Sequence, residues 1–472
     1  MSNNNTKALK SGIWYTAASF LTKSIGLITT PIFTRMLSKA EFGAYNNYTS
    51  WLAIFTIIVT LYLDSTFISA RFDHEKDFDG YVFSSLALSS VSAAVWFIII
   101  NVFNDTATDF LGINRLYMNC MLTYLVFLPA VHMYQTRERY YYQYKKTVFI
   151  SLLLSASTAF GSVLMVKNLS NRLTGRIFGS ALPTIVIGMV LYVLIALKGK
   201  HIKLEYWKYA LPVCLPFIPH LLSMSVLHNM DRIMITKICG EEQNALYSLA
   251  YSCGAIITLL ITSLNSAFSP WLGEKLHKDE TEEVRKFSRI YIAAFMYMAA
   301  GAMLITPEIL LVMGGKPYLE AMYVMPPITC GVSFQFMYTM FVNVEQFKKK
   351  TIGMAVASAS AALLNYVLNA VFIPRFGYVA AAYTTLAGYV WLLAAHMLLV
   401  RWLGYGKVYD YRFVAVVAAG MLAITAGVNW IYRYSPVRYA AVGVYTVVTV
   451  FIAVKYGKMM LEKLRKMKKS KA

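Results

Sequence analysis

Uninterrupted apolar runs of roughly 20 residues recur from one end of the chain to the other, and no other feature restricts its fold so tightly. An α-helix rising 1.5 Å per residue needs about that length to cross ~30 Å of hydrocarbon. Bounded by charges or by Gly, Pro and Asn clusters, the runs predict about fourteen spans. They lie near 12–33, 46–67, 80–103, 114–135, 147–166, 174–197, 209–230, 245–270, 288–313, 320–344, 351–373, 377–400, 411–431 and 437–454. The fifth, sixth and fourteenth are short enough to merge with a neighbour. The fold class is therefore an all-α polytopic membrane protein. Composition agrees, because only 14% of the 472 residues are charged, against about 25% in a soluble chain.

Lys and Arg are retained on the cytoplasmic side of a bacterial membrane. With the N-terminus inside, 31 of the 44 fall on inner segments and 12 on outer loops, leaving Lys23 within a span. The expected location is the cytoplasmic membrane, multi-pass, with both termini cytoplasmic. The net charge of +21 then reflects this bias and a basic tail, 463–469, suited to anionic lipid. It does not point to nucleic acid. The first apolar stretch is too long for a signal-peptide core and lacks a small-residue cleavage site. Five scattered cysteines, with no C-x-x-C pair, support neither a disulfide framework nor a metal site.

Connectors exclude more functions. The longest, 271–287, is charged and is expected to hold an interfacial helix. No segment outside the membrane is large enough for a catalytic domain, and no P-loop, G-x-S-x-G or H-E-x-x-H string occurs. The protein is expected to work between its helices, as a transporter without a cofactor, not as an enzyme.

The chain also matches itself. Ser19-Phe20-Leu21-Thr22-Lys23 with Phe33-Thr34-Arg35-Met36 corresponds to Pro216-Phe217-Ile218-Pro219-His220 with Met230-Asp231-Arg232-Ile233. Gln143-Tyr144-Lys145-Lys146-Thr147 resembles Gln346 to Thr351. Copies six helices apart in one orientation imply parallel repeats about the membrane normal. The expected division is a six-helix lobe over 1–200, a second over 201–402, two added helices over 403–455 and a tail over 456–472.

Several stretches resemble the polysaccharide repeat-unit (O-antigen type) flippases of the multidrug/oligosaccharidyl-lipid/polysaccharide exporter superfamily. They are Phe20 to Ile25 with Pro31 to Ser38 and Glu41-Phe42-Gly43; Met230 to Met234 with Tyr247 to Tyr251 and Phe268-Ser269-Pro270-Trp271; and Lys349-Lys350-Thr351 with Asn365, Asn369, Ile373 to Gly377 and Ala380-Ala381-Ala382. The resemblance implies two lobes around a central cavity that opens alternately to each side. It also implies a substrate, an undecaprenyl-pyrophosphate-linked oligosaccharide, with membrane lipids and a polysaccharide polymerase as partners. A lipid II-type flippase or a drug or cation antiporter shares the superfamily. A membrane polymerase or ligase would need a larger external loop.

A dianionic diphosphate requires a cationic cavity, so charges inside spans are the candidates; each costs ~2.5–3.5 kcal/mol to insert. Lys23 sits mid-span, as a diphosphate ligand or as the partner of a carboxylate such as Asp64 or Glu308. Arg35 and Arg232 stand near outer helix ends, where the guanidinium fork suits phosphate but also suits a plain anchor or, for Arg232, Asp231. Lys23 and Arg35 share a face only if Pro31 bends the helix. His220, which follows Pro216 and Pro219 where backbone bonds are broken, is a ligand or a carbonyl cap. His132, His228 and His396 rank below it. Asp64, Asp231 and Glu308 are candidates for proton or ion coupling, whereas Glu345 is expected to pair with Lys348–Lys350. The many Tyr and Trp residues at span ends read mainly as interface belts.

Overall fold

The computed structural model describes residues 2–348 and 351–469. Among them the chain is helical nearly throughout and contains no strand. The first six long helices are α1 (Ser2–Met36), α2 (Lys39–Thr60), α3 (Phe78–Val102), α4 (Arg115–Tyr140), α5 (Tyr144–Asn168) and α6 (Arg172–Gly199). The second half begins with α7 (Leu204–Cys239), which contains a 3₁₀ turn at Leu215–Phe217, and α8 (Glu241–His277). It continues with α9 (Thr281–Leu304), α10 (Met325–Phe347), α11 (Thr351–Phe376) and α12 (Tyr378–Val400). Last come α13 (Tyr411–Ile431) and α14 (Ser435–Lys469).

Eleven of these are long and apolar enough to span a membrane, or twelve if α2 is joined to Leu63–Asp73 across a 51° bend. The bend follows two residues in the left-handed region, Leu61 and Tyr62. The helices that fall short are α1 and α10, both expected as spans. The reason is visible in their surroundings. Nearly all of α10 is buried in protein, and a helix that does not face lipid needs no apolar outer surface. In α1, Lys23 interrupts the run, while Thr22, Thr29, Thr30 and Thr34 return their hydroxyls to carbonyls of the same helix. The short fifth, sixth and fourteenth spans are separate helices.

The expected interfacial helix in 271–287 is absent. Instead α8 runs through to His277 and α9 starts at Thr281. Residues 349–350 and 470–472, and the side chains of 456–469, lie outside the described residues. The expectations for the basic tail and for Lys349 and Lys350 fall there.

Short connectors make successive helices antiparallel, and contacts show which ends share a face. Trp14 stacks on Tyr144 at 6.3 Å where α5 begins. Arg172, opening α6, donates to the Met36 carbonyl at 2.9 Å where α1 ends. We call the first end proximal and the second distal. Two apolar clusters fill the interior of the first half, and a third fills that of the second. A fourth joins the halves at the distal end, where Phe33, Leu37 and Phe42 meet Ile235, Tyr247 and Tyr378. Ser38 caps α2 there in a reciprocal box with Glu41.

Candidate functional site

Below the distal closure the halves enclose a cavity of about 500 Å³, a volume typical of a small-ligand site. α1 contributes Lys23, Gly26, Leu27 and Thr30. His228 on α7, Tyr251 and Thr258 on α8, Gln335 on α10 and Tyr389 on α12 face them. Lys23 is exposed to this space and forms no ion pair among the described residues. Neither carboxylate suggested as its partner is spare. Asp64 accepts from Thr136 at 3.3 Å, and Glu308 binds both guanidinium nitrogens of Arg438 at 2.7 Å. No lining residue is acidic.

The facing wall is organised around Tyr251. Its hydroxyl lies 3.2 Å from His228 Nδ1, and Arg232, one turn further along α7, lies over its ring at 4.5 Å. The Arg232 Nε is buried and has no hydrogen-bond partner among the described residues. This wall sets hydrogen-bonding side chains on the cavity, with the Arg232 guanidinium behind the Tyr251 ring.

Asp231 points away from the cavity, and its expected pairing with Arg232 does not occur. Tyr247, Thr385 and Asn369 donate to its carboxylate, Asn369 at 2.6 Å. Asn369 also donates to Asn365 Oδ1 at 3.2 Å and accepts from Thr384. Asp231 is 1% exposed. A fully buried carboxylate among neutral ligands and no cation is an arrangement that a proton or a monovalent cation completes.

The other expected site residues are dispersed. Arg35 donates to the carbonyls of Pro31 and Val312, the latter at 2.9 Å, and so ties α1 to the segment after α9 at the distal end. His220 does not line the cavity; its Nδ1 is buried without a partner among the described residues. Lys23 on α1 thus faces a wall that Arg232 backs. Asp231 lies beside Arg232 in sequence but bonds among α8, α11 and α12, and Arg35, His220, Asp64 and Glu308 lie elsewhere. His228, Tyr251 and Tyr389 are cavity residues that sequence reasoning ranked low or left unassigned. Their signal was a polar residue on the same helical face as an apolar seam. Glu345, expected beside Lys348–Lys350, bonds instead to His396 at 2.8 Å, and Lys348 lies over Tyr405.

This helical architecture defines a class of protein. It resembles a lipid II flippase in an inward-closed conformation (TM-score 0.66, 11% identity, 95% of this chain and 100% of that one). It also resembles an inward-facing multidrug transporter of the MATE family and MOP superfamily (TM-score 0.62, 15% identity, 83% and 95%). These likenesses show the fold. The family follows from sequence. The model described as "Polysaccharide biosynthesis protein" matches residues 8–276, and the MatE model matches 216–371. The chain belongs to the polysaccharide biosynthesis protein family. It is also 21% identical, over 353 residues, to protein 1 of the Lsg locus of Haemophilus influenzae; the match covers 71% of this chain and 84% of that one.

Proposed function

We propose that this protein is a flippase that moves an undecaprenyl-pyrophosphate-linked oligosaccharide across the bacterial cytoplasmic membrane by alternating access, with the proximal end cytoplasmic. One observation carries the reading. An unpaired lysine on α1 enters a mid-bundle cavity that has no acidic residue and is backed by His228, Tyr251 and Arg232. Such a cavity suits a dianionic diphosphate with polar sugars, while the lipid tail remains in the bilayer. It disfavours a cationic drug, which would call for cavity carboxylates. The two-lobe division over 1–200 and 201–402, with helices over 403–455 added, gives the rocking halves that alternating access requires.

In this cycle Lys23 supplies a point charge to the phosphates, and Arg232 supplies a fork when the Tyr251 ring moves aside. Asp231 is the coupling residue, since its occupant changes the charge of a node joining α7, α8, α11 and α12. Glu308 is a docking residue for α14, and Arg35 belongs to the distal gate.

The test is a substitution series at Lys23. Lys23→Ala should sharply reduce export of the surface polysaccharide while the protein inserts and accumulates normally. Lys23→Arg should retain partial export, because charge persists on a larger planar group. Lys23→Glu should be worse than alanine. Normal export by Lys23→Ala at normal abundance would sink the assignment.

A further inference from the structure

At the proximal end of the second half, α10 and α12 bury a carboxylate against an imidazole. Glu345 Oε1 and His396 Nδ1 are 2.8 Å apart, and the two side chains are 1% and 2% exposed. Glu345 Oε2 is buried too and has no hydrogen-bond partner among the described residues. The imidazole lies parallel to the Tyr338 ring at 5.5 Å, and Tyr338 lies parallel to Tyr389 at 6.3 Å. Tyr338 and Glu345 are seven residues apart on α10, as Tyr389 and His396 are on α12. Each pair therefore shares a face, and one seam runs from the cavity wall to the dyad.

Among the described residues, several polar groups at this end bond elsewhere. Tyr409 and Tyr411 donate to the Met340 and Met397 carbonyls at 2.9 and 3.0 Å. Lys348 covers Tyr405 at 4.3 Å. From α9, Arg285 bonds the Lys407 carbonyl and Arg289 bonds Asp410. From α8, Asn265 accepts from Asn343, and α11 carries no titratable residue over 352–365. α7 brings His228 and Asp231, both nearer the distal end. None of these bonds to the dyad.

A carboxylate beside a neutral imidazole leaves a net charge of −1 in a dry interface, which burial opposes. One added proton makes the pair imidazolium and carboxylate, of net charge zero. We propose that Glu345–His396 is a proton-binding site, separate from Asp231, whose loading closes α10 on α12 at the proximal end. The proton passes from proximal water to His396 Nε2 while Nδ1–H keeps its bond to Glu345 Oε1. Release returns it to water and leaves Oε2 to be hydrated, which parts the seam. No other bond changes. Only the use of this site in a transport cycle rests on the flippase reading.

The test needs no lipid-linked substrate, so its failure is distinct from failure of that reading. Spin labels at Lys145, on the proximal end of the first half, and at Lys407, just beyond the proximal end of α12, report distances in lipid nanodiscs from about pH 5 to about pH 9. In the otherwise unsubstituted protein the ratio of two distance populations should change about tenfold per pH unit on the steep limb, as a one-proton event requires. Glu345→Gln and His396→Gln should each flatten the profile. Replacing sodium by choline should leave it in place. A flat starting profile, or one that survives both substitutions, overturns the proposal. So does a profile that Asp231→Asn flattens and Glu345→Gln does not, which would assign the proton to Asp231. Should the dyad variants fail to reconstitute, ¹⁵N-histidine spectra of the unsubstituted protein decide. An imidazole titrating at the midpoint of the distance change supports the site, and none doing so overturns it.

Discussion

Asp231 shows how much one buried carboxylate can be asked to do. Three neutral donors converge on it, and each donor left unpaired in a dry interior costs about 1–3 kcal/mol. Asp231→Ala should therefore lower the protein's abundance in the membrane and its thermal midpoint. Asp231→Asn keeps the shape and most bonds but removes the charge. It should accumulate near normally and lose at least about tenfold in polysaccharide export rate, a coupling of ~1.4 kcal/mol or more. Equal export by the asparagine variant would remove Asp231 from the cycle. Part of this was legible in the sequence: Asp231, Arg232 and Lys23 stand out because charges inside spans are rare. The tie of Asp231 to Tyr247, Asn369 and Thr385 was not, since neutral polar residues from three other helices carry no signal until packing joins them. His228 was undervalued for the same reason, because depth along a helix does not say which face meets the cavity.

At the scale of elements, the apolar runs gave the helices and most of their ends, while packing decided what the runs could not. α10 reads as another span, yet it is the helix that the second half is built around. The distal gate depends on one glycine. A Cβ on Gly43 would lie 1.8 Å from the Glu241 carbonyl oxygen, and Asn244 donates to the Gly43 carbonyl at 2.9 Å. Gly43→Val must part α2 from α8, so it should hold the distal end open and block export without loss of protein. Cysteines introduced at Lys39 and Glu242 should then cross-link less readily than in the parent; unchanged cross-linking would refute the gate. At the proximal end Asp77 accepts from His201 at 2.8 Å, Lys203 at 2.8 Å and Tyr206 at 2.6 Å, which anchors the link between the halves. Burial alone would raise the Asp77 carboxyl, but these bonds outweigh it and hold it well below the ordinary carboxylate range. The sign is that of a depressed acid: the stabilisation is complete above about pH 4 and fades as pH falls further. Asp77→Asn should lower the melting midpoint equally at about pH 7 and about pH 5, and the gap from the parent should narrow only in stronger acid.

Across the whole molecule, two independent observations bear on the orientation we propose for it in the bilayer. The contacts say which loops share a face: Trp14 with Tyr144 at one end, Arg172 with Met36 at the other. They are silent on which face is cytoplasmic. The proposed assignment rests on charge, with 31 Lys and Arg expected on the proximal segments against 12 on the distal ones. Because the helices are packed into one bundle, the assignment is all or none. A single loop cannot invert without breaking the apolar clusters on both sides of it. Reporter fusions after residues 145, 349 and 460 should therefore all read cytoplasmic, and fusions near 170 and 316 should all read external. A mixed pattern would contradict the antiparallel packing itself. A uniformly reversed pattern would leave the packing intact but invert the transport direction, placing the dyad of Glu345 and His396 outside and the gate at Gly43 inside. Charge neutralisation offers a sharper check on the cause. Replacing Lys145 and Lys407 by glutamine removes proximal charge while leaving the pair of Lys146 with the buried Glu138 in place. It should weaken the cytoplasmic signal of the fusions after 145 and 349 together, because the bundle inserts or fails to insert as a unit.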